Sequence, residues 1–360
     1  MPPQFNCALL LLARQYRGMS QAEVADAARL NQGHYSRIEN GLVPDGPSSE
    51  NVDRIASALN FPPSFFYLMD ALAALPLSVH PMHRKRASVG ERVLKQVHAE
   101  LNLRLIHVRR YLGAVEIDPE LPLPWLDVDE GGGPREIARK LRKAWLVSEG
   151  PIVNLTAHCE RAGIIVVWCD FDAPIDGITM RMRDLPPCIF LNGNVTADRM
   201  RFSLAHELGH IVMHRIPTDE MEDEANSFAG EFLVPERLFT NQVIGNRVTL
   251  EFLARQKAYW RVSMAFLLFQ AGAHGLITRH QSEYLWKQLS GLGWRTREPA
   301  ETDFAAEEPA LFPNVIRLHS DALGYDIQGL AQLVHASSED VSRFYGPHMT
   351  DKKTRLRVVK

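Results

Sequence analysis

The sequence is short of several things, and each shortage narrows what the protein can be. Its four cysteines, Cys7, Cys159, Cys169 and Cys188, include no C-x-x-C pair. They are therefore not expected to ligate metal, and sparse thiols in a long chain fit a reducing cytosol with buried free cysteines. No apolar stretch approaches the roughly 20 residues that a membrane-spanning helix needs, so no membrane partner is expected. The apolar run at 8–13 has no basic residues ahead of it and no small-residue cleavage site behind it, unlike a secretory signal. A cytoplasmic location is the resulting expectation. Neither charge is in excess: 40 Lys and Arg face 43 Asp and Glu, a net charge of −3. The chain as a whole thus offers no attraction to nucleic acid, and any DNA contact must come from a local patch. What remains is an ordinary globular composition, 46% hydrophobic over 360 residues, with room for two or three domains.

Local signals divide the chain. Residues 5–70 read as short helices with tight connections. Ser20 caps one helix and Glu23 completes its capping box; Asn31 caps the next, which runs through Ile38 to Gly41. A further helix at 51–59 stops at Pro62-Pro63. Residues 73–81 read as a linker, followed by a long helix at 90–112. Between Arg84 and Arg110 eight Lys or Arg stand against Glu91 and Glu100, the most basic stretch of the chain. It reads as a solvated helix face, with DNA-backbone contact as the alternative. The Pro- and Gly-rich segment 118–134 marks a second boundary. Helices at 135–147 and 152–162 then lead to a buried strand at 163–169. Residues 177–183 alternate Ile178, Met180 and Met182 with Thr179, Arg181 and Arg183, the pattern of a half-exposed strand. A third strand at 187–191 completes a hairpin with it. Helices at 198–214 and 220–233 follow. The remainder is helical, with helix-turn-helix-like pairs at 250–273 and 326–344, a pattern that generic helical hairpins share.

The chemistry concentrates in His206-Glu207-Leu208-Gly209-His210. Two histidines four residues apart on a helix lie on one face, about 6 Å apart along the axis. They can take two corners of a tetrahedral zinc (Zn2+) site. Glu207 lies beside the metal rather than on it, where a carboxylate can take a proton from zinc-bound water and pass it to a leaving amine. His214 extends the same face but lies roughly 12 Å from His206 along the axis, too far for a straight helix to bring all three to one ion. The third ligand should come from the next helix, where Glu220, Glu222, Asp223 and Glu224 are candidates. Glu222 shares an inward face with Ala225 and Ala229, and Glu224 is the runner-up. Asn226, four residues after Glu222, is placed to accept from a histidine ring N–H. The small residues Ala205 and Gly209 permit close helix packing. For a second oxyanion donor, His214 and Arg199 are weak candidates.

The blocks at 151–155, 199–214 and 222–235 together resemble the ImmA/IrrE family of metallopeptidases over about residues 135–275. The resemblance implies a minimal zincin fold, Glu222 as the third ligand, and a helix-turn-helix repressor as the protein substrate. The pair at 250–273 resembles the helical domain that follows the peptidase core in IrrE. The segment 294–299 resembles long members that carry their own N-terminal DNA-binding domain. Val234 stands where the family usually has Leu or Met. Zincins bind substrate as a strand added to a sheet edge, for which 177–183 is the candidate.

Residues 20–41 resemble the XRE-type (Cro/C1-like) domains of lambdoid phage repressors, most clearly at Gln21, Ala22, Val24, Ala25 and 38–41. Ala25, Tyr35 and Ile38 should be core, and the exposed face of the second helix should enter the major groove. By position, Gln32, Gly33, His34 and Arg37 would face base edges, while Gln21 and Asn40 would hold phosphates. Five arginines against seven carboxylates in this region leave a phosphate deficit that a homodimer, or the 84–110 stretch, would supply. The expected class is α+β and predominantly helical: a lambda-repressor-like domain at 1–72, a linker with a long basic helix at 73–134, a zincin-like domain with a small sheet at 135–240, and a helical region at 241–360. The expected function is a transcriptional regulator that binds an operator in double-stranded DNA and carries a zinc endopeptidase. The alternative is a regulator whose zincin domain senses metal or ligand without cutting.

Overall fold

The computed structural model describes residues 4–73, 90–171 and 173–349. Arg84, Lys85 and Arg86, and most of the expected linker, lie outside them. The chain divides into two compact units, one built from residues up to 73, 90–116 and 311–349, the other from 117–310. The second unit is thus inserted, in sequence, into the first.

The first unit begins with four helices, α1 (Cys7–Tyr16), α2 (Gln21–Ala27), α3 (Gln32–Glu39) and α4 (Ser49–Leu59), and a 3-10 turn at Pro63–Tyr67. Side-chain caps fix their starts: Asn6, Asn31 and Ser48 each accept from the first turn, and Ser20 and Glu23 form a reciprocal capping box. Leu9, Leu12, Val24, Tyr35, Ile38, Ile55 and Phe65 close the core between them. The long helix α5 (Glu91–Leu112) is solvated only over its first two turns, which corrects the expectation of a linker with a solvated basic face for the rest of it. From Ala99 to Tyr111 it is mostly buried. Its cations are occupied within the unit: Arg104 by Glu100 at 2.8 Å and by the Phe344 ring, Arg109 by Asp70 at 2.8 Å, and Lys95 by Glu91 at 2.7 Å.

The chain returns to this unit through α14 (Leu311–Asp321), α15 (Ile327–Leu333) and α16 (Ser338–Met349). Asp340 binds the Tyr16 hydroxyl at 2.7 Å and pairs with Arg17 at 2.6 Å, and Tyr345 meets His107 at 2.9 Å. The region expected as one helical block at 241–360 is therefore divided near 310. An ion network and an aromatic cluster bind its end to the first helices, across separations that no local pattern reveals.

In the second unit, α6 (Pro134–Ala144) and α7 (Leu155–Arg161) precede β1 (Ile165–Cys169), β2 (Gly177–Met180) and β3 (Cys188–Asn192). The sheet order is β1-β3-β2, with β1 parallel and β2 antiparallel to β3. α8 (Ala197–Met213) and α9 (Met221–Leu233) follow, then α10 (Glu236–Val243), α11 (Leu250–Trp260), α12 (Met264–Ala273) and α13 (Arg279–Gly291). One core runs through these helices, β1 and β3, from Ile137 and Leu141 through Ile189, Leu208 and Phe228 to Trp260, Leu267 and Leu289. Each such fully buried side chain contributes roughly 1.5–3 kcal/mol. No boundary falls at 240. Buried Lys257 on α11 pairs with Asp198 at the start of α8 (3.0 Å) and with Glu298 (2.7 Å), tying 250–303 to the helix that carries the histidines.

The candidate metal centre and the helix-turn-helix

α8 starts after Thr196, whose side chain makes no capping hydrogen bond, and leaves helical geometry at His214. Its middle is buried on several sides, with Leu204, Ala205, Leu208, Ile211 and Val212 in the core. α9 starts with Glu222, Asp223 and Glu224 in its first turn, where acids favour a helix N-terminus. The two helices cross closely because Gly209 has no side chain: a Cβ there would lie 3.0 Å from the Phe228 ring and 3.4 Å from the Ala225 backbone. This contact brings the first turn of α9 opposite the histidines.

His206, His210 and Glu222 form a cluster whose donor atoms all lie within 4.8 Å of one another. The two Nε2 atoms are 3.0 Å apart, Glu222 Oε2 is 3.5 Å from that of His206, and Glu222 Oε1 is 3.2 Å from that of His210. Ligands about 2.0–2.1 Å from a tetrahedral zinc stand about 3.3 Å from each other, so the observed edges suit that ion. Glu222 Oε1 is buried and makes no aligned hydrogen bond within the protein. Two imidazoles and one carboxylate, one of whose oxygens is orphaned, are a donor set that fits zinc with a position left open. His206 Nδ1 meets Asn226 Oδ1 at 3.0 Å. Burial opposes charge on His206, but Glu222, Glu207 and Asn226 outweigh it and raise its pKa. Burial likewise works against ionised Glu222, yet the two histidines push its pKa down to about 2.

Glu207 is buried at 3% exposure, and its Oε2 accepts from Thr179 Oγ1 at 2.7 Å. Gly177 makes room for it, since a Cβ there would lie 3.1 Å from Glu207 Cγ. β2 itself, which ends at Met180, is not half-exposed: all four of its residues are buried, Thr179 against Glu207 of α8, while Arg181 and Arg183 beyond its end are exposed as expected. Arg181, just past the strand, donates to the carbonyls of Ile211 (2.8 Å) and His214 (3.1 Å). Alternation separates the two faces of a strand but does not say which is covered, and for that reason Thr179 and Arg181 escaped sequence reasoning. The proximity of a helix to a sheet edge was the missing signal.

The remaining candidates sit elsewhere. Glu224 binds His214 at 2.9 Å rather than joining the cluster. Neither oxyanion candidate is free for that role. Both His214 ring nitrogens are engaged, by His210 and Glu224, and Arg199 pairs with Asp176 at 2.9 Å.

In the first unit, α3 presents Gln32, Gly33 and Arg37 to solvent, with His34 half-buried against Asn51 at 3.2 Å. Tyr35 and Ile38 point inward. The pair α2–α3 is locked by a residue that sequence reasoning noted only as part of the motif. Buried Glu39 accepts from Arg14 (2.6 Å) on α1, from Gln21 (2.6 Å) on α2 and from the Tyr35 hydroxyl (3.1 Å). Burial disfavours its charge, but these donors prevail and lower its pKa. Gln21 thus commits one amide proton to Glu39, and the Asn40 amide bonds back to Ser36 O at 2.7 Å.

Two family models match the chain. Residues 10–66 match the model of a helix-turn-helix family, and residues 159–271 match that of the IrrE N-terminal-like domain, a peptidase family. No curated protein matched the chain. The chain joins an XRE-type helix-turn-helix domain to an ImmA/IrrE-like peptidase domain. The peptidase match continues past residue 240 into α12, in keeping with the single core described above. Among the described residues, no helix is long and apolar enough to cross a membrane.

Proposed function

We propose that the protein is a DNA-binding transcriptional regulator whose peptidase domain is a zinc-dependent endopeptidase, cutting a repressor-like protein or this chain itself. The observation that carries the reading is Glu207, a buried carboxylate one residue from a three-donor cluster and held by Thr179. His206, His210 and Glu222 would hold the ion, with Asn226 orienting His206. When bound, zinc supplies Lewis-acid polarisation of the scissile carbonyl and acidifies water. Glu207 accepts the proton of the attacking water and delivers it to the leaving amine. The Thr179 hydroxyl fixes one carboxylate oxygen, leaving the other to receive that proton. The outer edge of β2 carries no further strand among the described residues, and an extended peptide would pair there.

On the DNA side, Gln32, Gly33, His34 and Arg37 would read base edges from α3, while Gln21 and Asn40 would contact phosphates. The exposure of Gln32, Gly33 and Arg37 on one short helix supports this reading. A homodimer would supply the two half-sites of a palindromic operator.

The deciding experiment is Glu207→Gln in the full chain, co-expressed with a helix-turn-helix repressor. Loss of cleavage with zinc content unchanged is the expected result. Cleavage that survives the substitution overturns the role of Glu207. Regulation unchanged by it, with no cut product in either protein, favours the sensor reading.

A further inference from the structure

The hydrogen-bond chain behind His210 has a direction that the peptidase reading does not use. His210 Nδ1 lies 2.9 Å from His214 Nδ1, and His214 Nε2 lies 2.9 Å from Glu224 Oε2. His214 is buried at 4% exposure. Arg181 holds the helix end that carries it through the Ile211 and His214 carbonyls. A neutral imidazole has one N–H and one lone pair. For His210 to offer its Nε2 lone pair to a metal, its proton must sit on Nδ1. That proton then needs an acceptor, and among the described residues the one in place is His214 Nδ1. His214 must in turn be protonated on Nε2, where it donates to the Glu224 carboxylate. The opposite polarity puts a proton on His210 Nε2, pointing into the donor cluster. It also sets the His214 Nε2 lone pair against a carboxylate oxygen, which is repulsive. Glu224, which when ionised can accept but not donate, thereby selects one of two arrangements.

We infer that His214 and Glu224 are positioning residues that lock His210 in its metal-ready tautomer before any ion arrives. The inference rests on His206, His210 and Glu222 being the ligands, and not on peptide cleavage. Partners of this kind are generally worth 10- to 100-fold in metal affinity. The pattern also pairs each ligand histidine with a different kind of acceptor: an amide oxygen, which cannot reverse without flipping, for His206, and a histidine backed by a carboxylate for His210.

The test is zinc affinity of the full-length protein, measured by competition with a chromophoric chelator. His214→Leu fills the space but removes the acceptor, and should weaken zinc binding roughly 10- to 100-fold. His214→Asn places an amide oxygen where Nδ1 stood and should recover most of that loss. Glu224→Gln keeps a hydrogen bond but can donate as well as accept, so it should weaken binding by a smaller factor. Circular dichroism of the zinc-free variants checks the fold, and the partly exposed Glu224 site supplies a reading if His214→Leu does not fold. Zinc affinity within twofold of wild type in His214→Leu, or His214→Asn no better than His214→Leu, overturns the tautomer lock. If His214→Leu does not fold, wild-type affinity in Glu224→Gln overturns it. Wild-type protein that takes up no zinc overturns the ligand assignment instead.

Discussion

Glu39 in the first unit and Glu222 in the second are both carboxylates removed from much of the solvent and held ionised by their neighbours. They differ in how they are satisfied. Glu39 receives two guanidinium protons, an amide proton and a phenol proton, so every lone-pair direction that matters is filled. Glu222 faces only two imidazole nitrogens, and one of its oxygens is buried with no aligned donor. Glu39 belongs to a closed network and holds three helices together. Glu222 belongs to an open one, whose missing partner has to be positive and small. Burial and a lowered pKa are common to both, so neither property identifies a site. The count of unsatisfied acceptors does.

The comparison can be broken at four points. The largest effect is expected for Glu39→Ala, which strands the Arg14 guanidinium: the first unit should lose about 3 kcal/mol in chemical denaturation, with zinc affinity unchanged. Unaltered stability would mean that the closed network is ornamental. Next, Arg37→Ala should weaken operator binding by roughly 10- to 100-fold with the fold retained; equal binding would remove α3 from the major groove. Thr179→Val, which keeps the shape but not the hydroxyl, should lower kcat by roughly tenfold or more with KM little changed, since one hydrogen bond to a charged group is worth at least about 1.5 kcal/mol. Thr179→Ser should restore it.

The smallest effect concerns acid. Burial raises the Asp340 pKa, but Arg17, Tyr16 and Ser337 more than reverse this and hold it below the ordinary carboxylate range. A depressed carboxylate contributes stability that is fully present above its unfolded pKa of about 3.9 and is lost as pH falls through the folded value. Asp340→Asn should therefore flatten the acid-side decline of the first unit in unfolding measured from neutral to acid pH, while lowering its stability at neutral pH. An unchanged slope would detach Asp340 from the network.

What could be read in advance follows from the range over which each signal acts. The caps at Ser20 and Asn31 and the shared face of His206 and His210 are set within one or two helical turns, and the structure has them where spacing put them. The burial of Thr179 is set by Glu207, 28 residues away, and alternation alone left that residue in solvent beside Arg181 and Arg183, which are exposed. The His214–Glu224 contact required knowing the loop between α8 and α9. Least visible was the membership of α5 and α16 in one unit. Arg17 and Asp340 are 323 residues apart, and a basic helix that neutralises its charges internally looks the same in sequence as one that faces solvent.

The insertion of one unit within the other sets an order of completion. As the chain leaves the ribosome, the DNA-reading helices appear first, but Asp340, Phe344 and Tyr345, which finish their support, appear last. The whole peptidase unit is synthesised between those two events. Any nick inside 117–310 would leave the DNA-reading unit as two separate polypeptides held by non-covalent contacts alone. Its integrity would then depend on concentration rather than on covalent connection.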